Sequence, residues 1–163
     1  MSRLLPLALA AALAAGAAHA APPASPPAAQ AATPASGADF LARNAREPGV
    51  QTLPSGLQYK VVTAGPAGGA SPKPGDIIKV HYEGKLTSGE VFDSSFARGK
   101  PALLPLGDLV PAWMEALPRM KVGDEWTLYA PPELGYGAEG AGPIPPNSVL
   151  IFRIKLLGVL SAD

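Results

Sequence analysis

The 163-residue chain contains no cysteine, which excludes disulfides, thiolate nucleophiles and cysteine-ligated metal. An excess of charge of either sign is also missing. Thirteen Lys and Arg balance 13 Asp and Glu, so the basic footprint of a nucleic-acid binder is absent and no nucleic-acid partner is expected. Histidine occurs only at His19 and His81, too few for a metal centre in a chain without cysteine. No G-x-S-x-G elbow presents a serine, and the glycines between Gly137 and Gly142 lead into an apolar run with no lysine behind them, so no phosphate cradle is present. No identifiable element forces two carboxylates together as glycoside hydrolysis requires. What remains is chemistry that needs no nucleophile, metal or cofactor.

The first residues read as a targeting segment. Arg3 is a minimal basic region, residues 4–17 are apolar, and Ala18-His19-Ala20 is a small-residue cleavage site before Ala21. The apolar run falls short of the roughly 18 residues that span a bilayer. The expectation is a signal peptide over 1–20 and a mature protein that is periplasmic or secreted, with no membrane span. Residues 21–37 carry no charge and no large apolar side chain, which predicts an extended, disordered linker rich in Pro and Ala. Residues 38–49 predict a short helix and lead-in, with Asp39 as its cap, Phe40, Leu41 and Asn44 on one face, and Pro48-Gly49 ending it.

From residue 50 to 161 the turn and strand signals recur regularly, as in a single domain. Leu57, Tyr59 and Val61 alternate with Gln58 and Lys60. Ile78, Val80, Tyr82 and Leu86 alternate with Lys79, His81, Glu83 and Lys85, a strand with one wet face. Val91, Phe92 and Asp93 follow the Ser88-Gly89 turn, and residues 103–106 suggest a further short strand. Pro111 opens one helix with Trp113, Leu117 and Met120 inward, and Pro118 must shorten or distort its last turn because its ring meets the carbonyl of Met114. Trp126, Leu128 and Ala130 point inward from the next strand, which places Trp126 in the core. Residues 135–147 are crowded with Gly and Pro and cannot be a regular element. They feed a strand whose inner face carries Leu150, Phe152, Ile154 and Leu156. A stiff apolar loop over a sheet reads as a pocket rim or as a long hairpin closure. The fold class expected is α+β, with a twisted antiparallel sheet of about five strands wrapped around one short helix.

Three separated segments carry a resemblance: VHYEGKLTSGEVFDSS at 80–95, the helix opened by Pro111 with Trp113, and Tyr136-Gly137 followed by GPIPPNSVLIFRIKLL at 142–157. In this order they resemble the FKBP-type peptidyl-prolyl cis-trans isomerases, the macrolide-binding immunophilins. The resemblance implies a pocket walled by Tyr82 and Phe92, with Asp93 at its mouth, Trp113 as floor, and Phe152 at the back. Leu109 and Val110 sit where the family has Val-Ile. Tyr136 and Ile144 come from the loop, the former offering its hydroxyl and the latter its backbone N–H to the ligand's carbonyls. His81 is left a structural or solvated role. Ala112, Leu104 and Ala102 depart from the family pattern at the pocket edge, which puts macrolide binding in more doubt than isomerase activity. The implied partners are proline-containing peptides and unfolded proteins, with no cofactor. Only residues 39–46 stand where exported relatives carry a long dimerisation arm, so a monomer is expected. Two other readings remain: a non-catalytic proline-binding chaperone module, and a structural or adhesive surface domain.

Overall fold

The computed structural model describes residues 34–162. The signal peptide expected over 1–20, and the linker as far as residue 33, lie outside the described residues. In chain order the elements are α1 (Pro34–Asn44), β1 (Val50–Thr52), β2 (Gln58–Thr63), β3 (Ile77–Leu86), β4 (Val91–Ser94), β5 (Ala102–Pro105), α2 (Pro111–Ala116), β6 (Glu125–Ala130) and β7 (Leu150–Leu160). The strands form one seven-stranded sheet in the order β1-β2-β6-β7-β3-β4, with β5 also paired to β3. Every pairing is antiparallel. The fold is therefore α+β as expected, but with seven strands rather than about five. The extra ones are short: β1 has three residues, and the outer edge of β3 is shared by β5 at its start and β4 at its end.

β3 and β7 form the centre, paired from Ile77↔Leu160 to Leu86↔Leu150. Their alternation is the one the sequence predicts. Ile78 and Val80 from β3, and Leu150, Phe152, Ile154 and Leu156 from β7, are buried on one face, where Leu128 and Ala130 of β6 join them. Trp126 is buried too, stacked on Tyr59 with ring centroids 4.5 Å apart. α2 covers that face through Ala112, Trp113 and Ala116, and burial of each large side chain contributes about 1.5–3 kcal/mol. Pro118 acts as expected: α2 stops at Ala116, and Leu117–Arg119 form a 3₁₀ turn that still buries Leu117. The 3₁₀ bonding pattern dispenses with the bond that the proline ring would obstruct.

Two expectations are corrected. Val61 does not face the core; Val61 and Val62 are exposed, and a register shift separates Val61 from Thr63. Gln58 is buried in that strand instead, because its amide is satisfied at both ends: Asn44 Nδ2 donates to its Oε1 at 2.9 Å, and its Nε2 donates to the Leu41 carbonyl at 2.9 Å. The second correction concerns α1. It begins at Pro34, inside the stretch expected to be linker, so Asp39 lies within the helix and is not its cap. Proline is tolerated in a helix's first turn. The face that settles on the sheet carries Gly37, Phe40, Leu41 and Asn44 at i, i+3, i+4 and i+7.

Candidate functional site

Four elements and two loops bring Tyr82, Phe92, Asp93, Leu109, Val110, Trp113, Tyr136 and Phe152 around one cavity of about 440 Å³. That volume suits a small ligand or a short stretch of peptide. β3 supplies Tyr82, and β4 supplies Phe92 and Asp93 across the hairpin. α2 raises Trp113 from below and β7 brings Phe152. The rings meet edge to face: Tyr82–Trp113 at 5.2 Å and 80°, Trp113–Phe152 at 5.6 Å and 87°, and Phe92–Phe152 at 5.9 Å and 90°. Edge-to-face contact sets the positive rim of one ring against the negative face of the next, and each such pair contributes about 0.5–1.5 kcal/mol beyond burial. The rings are thereby held as a rigid apolar wall.

Gly84 makes the wall possible. A Cβ there would lie 2.5 Å from Phe92 Cζ and 3.1 Å from Phe152 Cε1, so only a bare backbone lets both rings close over β3.

At the mouth the polar groups form a clamp. Tyr82 Oη donates to Asp93 Oδ2 at 2.5 Å, Arg98 Nη1 donates to Asp93 Oδ1, and Arg98 Nη2 donates to Tyr82 Oη at 3.1 Å. The guanidinium also lies over the Tyr82 ring, 5.6 Å from its centroid. Partial burial pushes the Tyr82 phenol up, reinforced by the Asp93 carboxylate. Burial alone would raise the Asp93 carboxyl, but the hydrogen bonds from Tyr82 and Arg98 outweigh it and hold it below the ordinary range. Asp93 is therefore an ionised acceptor at neutral pH, not a proton donor. Its contribution to stability is present above the unfolded carboxyl value of about 3.9 and is lost as pH falls through the lower folded one. Tyr82 acts with the opposite sign, favouring the fold below about pH 10 and losing that effect as pH rises through its raised folded value. Chemical denaturation of Asp93→Asn should accordingly be less pH-sensitive between pH 5 and 2 than that of the parent. The difference should be small, because the ion pair is solvent-exposed at the rim.

Among the donors at the cavity with no partner among the described residues are the Val110 N–H and the hydroxyl of Tyr136, a residue 42% exposed. Ile144 behaves differently from what the resemblance implies. It is buried, it is not part of the lining, and its N–H donates to the Ala141 carbonyl at 2.8 Å within a small β-bridge. Val110, at the mouth of α2, has a main-chain N–H that is free instead.

Leu104 lines the cavity, at the pocket edge where the resemblance puts it, whereas Ala102 and Ala112 are not in the lining; Asp108, which the sequence does not single out, lines it too. Asp108 adjoins Leu109 and so was within reach of a local argument. Arg98 reaches the site from an irregular loop after β4, where no periodicity shows side-chain direction. His81 takes the structural role expected of it. Its Nδ1 lies 3.0 Å from the Ser95 hydroxyl, and its ring stacks on Phe96 with centroids 4.8 Å apart.

A family model described as FKBP-type peptidyl-prolyl cis-trans isomerase matches residues 68–157, and a second, described as the domain amino terminal to FKBP-type peptidyl-prolyl isomerase, matches residues 8–61. The chain is 52% identical over 121 residues to the peptidyl-prolyl cis-trans isomerase Mip of Coxiella burnetii, covering 74% of this chain and 52% of that protein. It is 48% identical over 130 residues to the FKBP-type 22 kDa peptidyl-prolyl cis-trans isomerase of Escherichia coli, covering 79% of this chain and 62% of that one. Among solved structures, FkpA from Escherichia coli superposes with a TM-score of 0.75 at 43% identity, over 79% of this chain and 60% of that one. The chain thus spans between half and two thirds of the length of these relatives.

Proposed function

This chain belongs to the FKBP-type peptidyl-prolyl cis-trans isomerase family, and on that premise we propose that it catalyses rotation about X-Pro bonds in exported proteins by desolvating the imide in its aromatic cavity. The observation that carries this reading is the set of edge-to-face rings, Tyr82, Trp113, Phe152 and Phe92, around one hollow whose lining has no serine, histidine or lysine.

The barrier to rotation is about 18–20 kcal/mol because resonance keeps the amide planar, and X-Pro bonds exchange over roughly tens to hundreds of seconds. Resonance places negative charge on oxygen and positive charge on nitrogen, a form that water stabilises. Inside an apolar wall that help is withdrawn. The twisted form, less charge-separated, loses less, so the barrier falls. The proline ring rests on Trp113, while the Val110 N–H and the Tyr136 hydroxyl donate to flanking carbonyls and set the register of the peptide. Asp93, ionised and held by Tyr82 and Arg98, fixes the Tyr82 ring and takes no proton.

Cis-to-trans exchange of an X-Leu-Pro peptide, and refolding of a proline-limited protein with catalytic amounts of this one, test the reading. Both should accelerate. Binding without acceleration would establish a holding module, and absence of binding a structural domain. Tyr136→Phe should lower kcat/KM by about two- to twelvefold, the worth of one hydrogen bond. Val110→Pro removes the main-chain donor along with the valine side chain: φ at Val110 is already −56°, a value proline adopts. A fall in kcat/KM of about tenfold, near 1.4 kcal/mol, is expected if that donor meets substrate.

Export rests on Arg3, the apolar residues 4–17 and the Ala18-His19-Ala20 site. Amino-terminal sequencing of the mature protein should begin at Ala21, and light scattering should return a monomer. No helix among the described residues is long and apolar enough to cross a membrane. Leu104, standing where the family commonly has an aromatic, lines the cavity and leaves its edge less enclosed, so macrolides should bind weakly.

A further inference from the structure

The amino-terminal helix bears on the loop that carries Tyr136. Gly37 of α1 is buried, and a Cβ built on it would lie 3.0 Å from Val149 Cγ2 and 4.0 Å from the Asn147 carbonyl oxygen. Asn147 closes the loop. Its N–H donates to the Gly137 carbonyl at 2.9 Å, immediately beside Tyr136, and it is the one non-glycine residue among those described with positive φ, at 57°. A left-handed non-glycine residue persists only where its surroundings hold it there. The backbone of α1 at Gly37 thus lies too close to Val149 to leave room for a side chain, and Asn147, two residues before Val149, is bonded to Gly137 beside Tyr136.

The same helix is docked through its carboxyl-terminal half. Eleven residues are too few for a helix to stand alone in water, where roughly 12–15 are marginal. Its anchors include the Phe40–Tyr129 ring pair at 6.2 Å and the buried amide pair of Asn44 and Gln58, with the Gln58 amide also donating to the Leu41 carbonyl. The amino-terminal domain model matches residues 8–61, so α1 lies inside the matched region, which runs on into the first strands of the sheet.

We propose that α1 is a brace for the Tyr136 loop, with Gly37, Phe40 and Asn44 as positioning residues. Docking of the helix sets the Tyr136 hydroxyl, and load on the amino-terminal segment tunes how tightly substrate is held. The activity side of this inference rests on the isomerase reading above. The placement of Tyr136 does not.

The test uses the intact chain. Phe40→Ala with Asn44→Ala removes two anchors of the helix, and Gly37→Val drives a wedge against Val149 that Val149→Ala should relieve. In the substrate-free protein, undocking should shift the Tyr136 ring resonances and speed hydrogen exchange at the Asn147 N–H. With X-Leu-Pro peptide, KM should rise about three- to tenfold with kcat changed less than about twofold. On a Tyr136→Phe background the same pair should add less than about twofold, because the hydroxyl being positioned is gone. Restoration of the Gly37→Val defect by Val149→Ala supports the brace even if the anchor variants fold poorly. Unchanged Tyr136 resonances after undocking, or a KM effect that adds in full to Tyr136→Phe, would overturn it. Should the parent protein lack isomerase activity, the functional reading fails alone, and the Tyr136 resonances still decide the brace.

Discussion

Gly84→Ala is expected to lower kcat/KM by at least about tenfold and to cost about 1–3 kcal/mol of stability, the usual penalty for overpacking a filled core. The new methyl would sit 2.5 Å from Phe92 Cζ, 2.6 Å from Phe92 Cε2 and 3.1 Å from Phe152 Cε1. Neither ring can yield freely. Phe152 is 4% exposed and lies edge-on to Trp113 as well as to Phe92, so displacing one ring disturbs a wall of three. Thermal denaturation and peptide exchange kinetics measured together give the check. Gly84→Ala combined with Phe92→Leu should recover most of the stability, since leucine leaves room for the methyl. It should not recover activity, since one aromatic wall is gone. If Gly84→Ala is as active as the parent, Phe92 has a second resting place and the wall is not rigid.

Trp113→Ala should have the larger effect on stability. Trp113 is 4% exposed, belongs to the core cluster that α2 shares with the sheet, and meets both Tyr82 and Phe152. Truncating a buried tryptophan to alanine costs about 3–5 kcal/mol through lost transfer energy and the void left behind. The proline ring would also lose its floor, and a fall in kcat/KM of about a hundredfold, near 2.7 kcal/mol, is expected. Trp113→Leu separates the contributions. It should return part of the stability by filling the void, while kcat/KM stays well below the parent. A native-like kcat/KM in Trp113→Leu at a temperature where circular dichroism shows the fold intact would remove the aromatic floor from the mechanism. The Trp113 Nε1–H has no partner among the described residues, so its loss strands no buried acceptor.

Much of this arrangement is legible in the sequence, and the reason is periodicity. Ile78, Val80 and Tyr82 alternate in β3, and Leu150, Phe152, Ile154 and Leu156 in β7, because a half-buried strand must present every second residue to the core. Pro118 announces the end of α2 for a local steric reason. The illegible features depend on distant partners. Gln58 is buried although polar, and nothing in its neighbourhood predicts that Asn44 and the Leu41 carbonyl will satisfy it. Its partner strand likewise determines that Val61 is left outside the core. α1 extends back to Pro34 and brings Gly37 up against Val149, a residue more than a hundred positions away. In the site, the apolar walls follow from alternation and resemblance, whereas the clamp cation Arg98 and the acid Asp108 sit on irregular backbone. The main-chain donor shows the same limit. Whether Val110 or Ile144 is free depends on the Ala141 carbonyl, which only three-dimensional placement reveals.

The pairing of β3 with β7 has a temporal consequence. The central seam of the sheet joins Ile77–Leu86 to Leu150–Leu160, the last strand the chain delivers. A nascent chain emerging amino terminus first has both rims of the sheet before it has the middle, and Phe152 reaches the cavity only with that final strand. Such distant pairing slows folding, because the intervening loop must close before any contact rewards it. A protein proposed to speed the folding of others therefore cannot begin until its own carboxyl end has arrived, and trimming it before Leu150 would leave an unjoined pair of half-sheets with an open apolar seam.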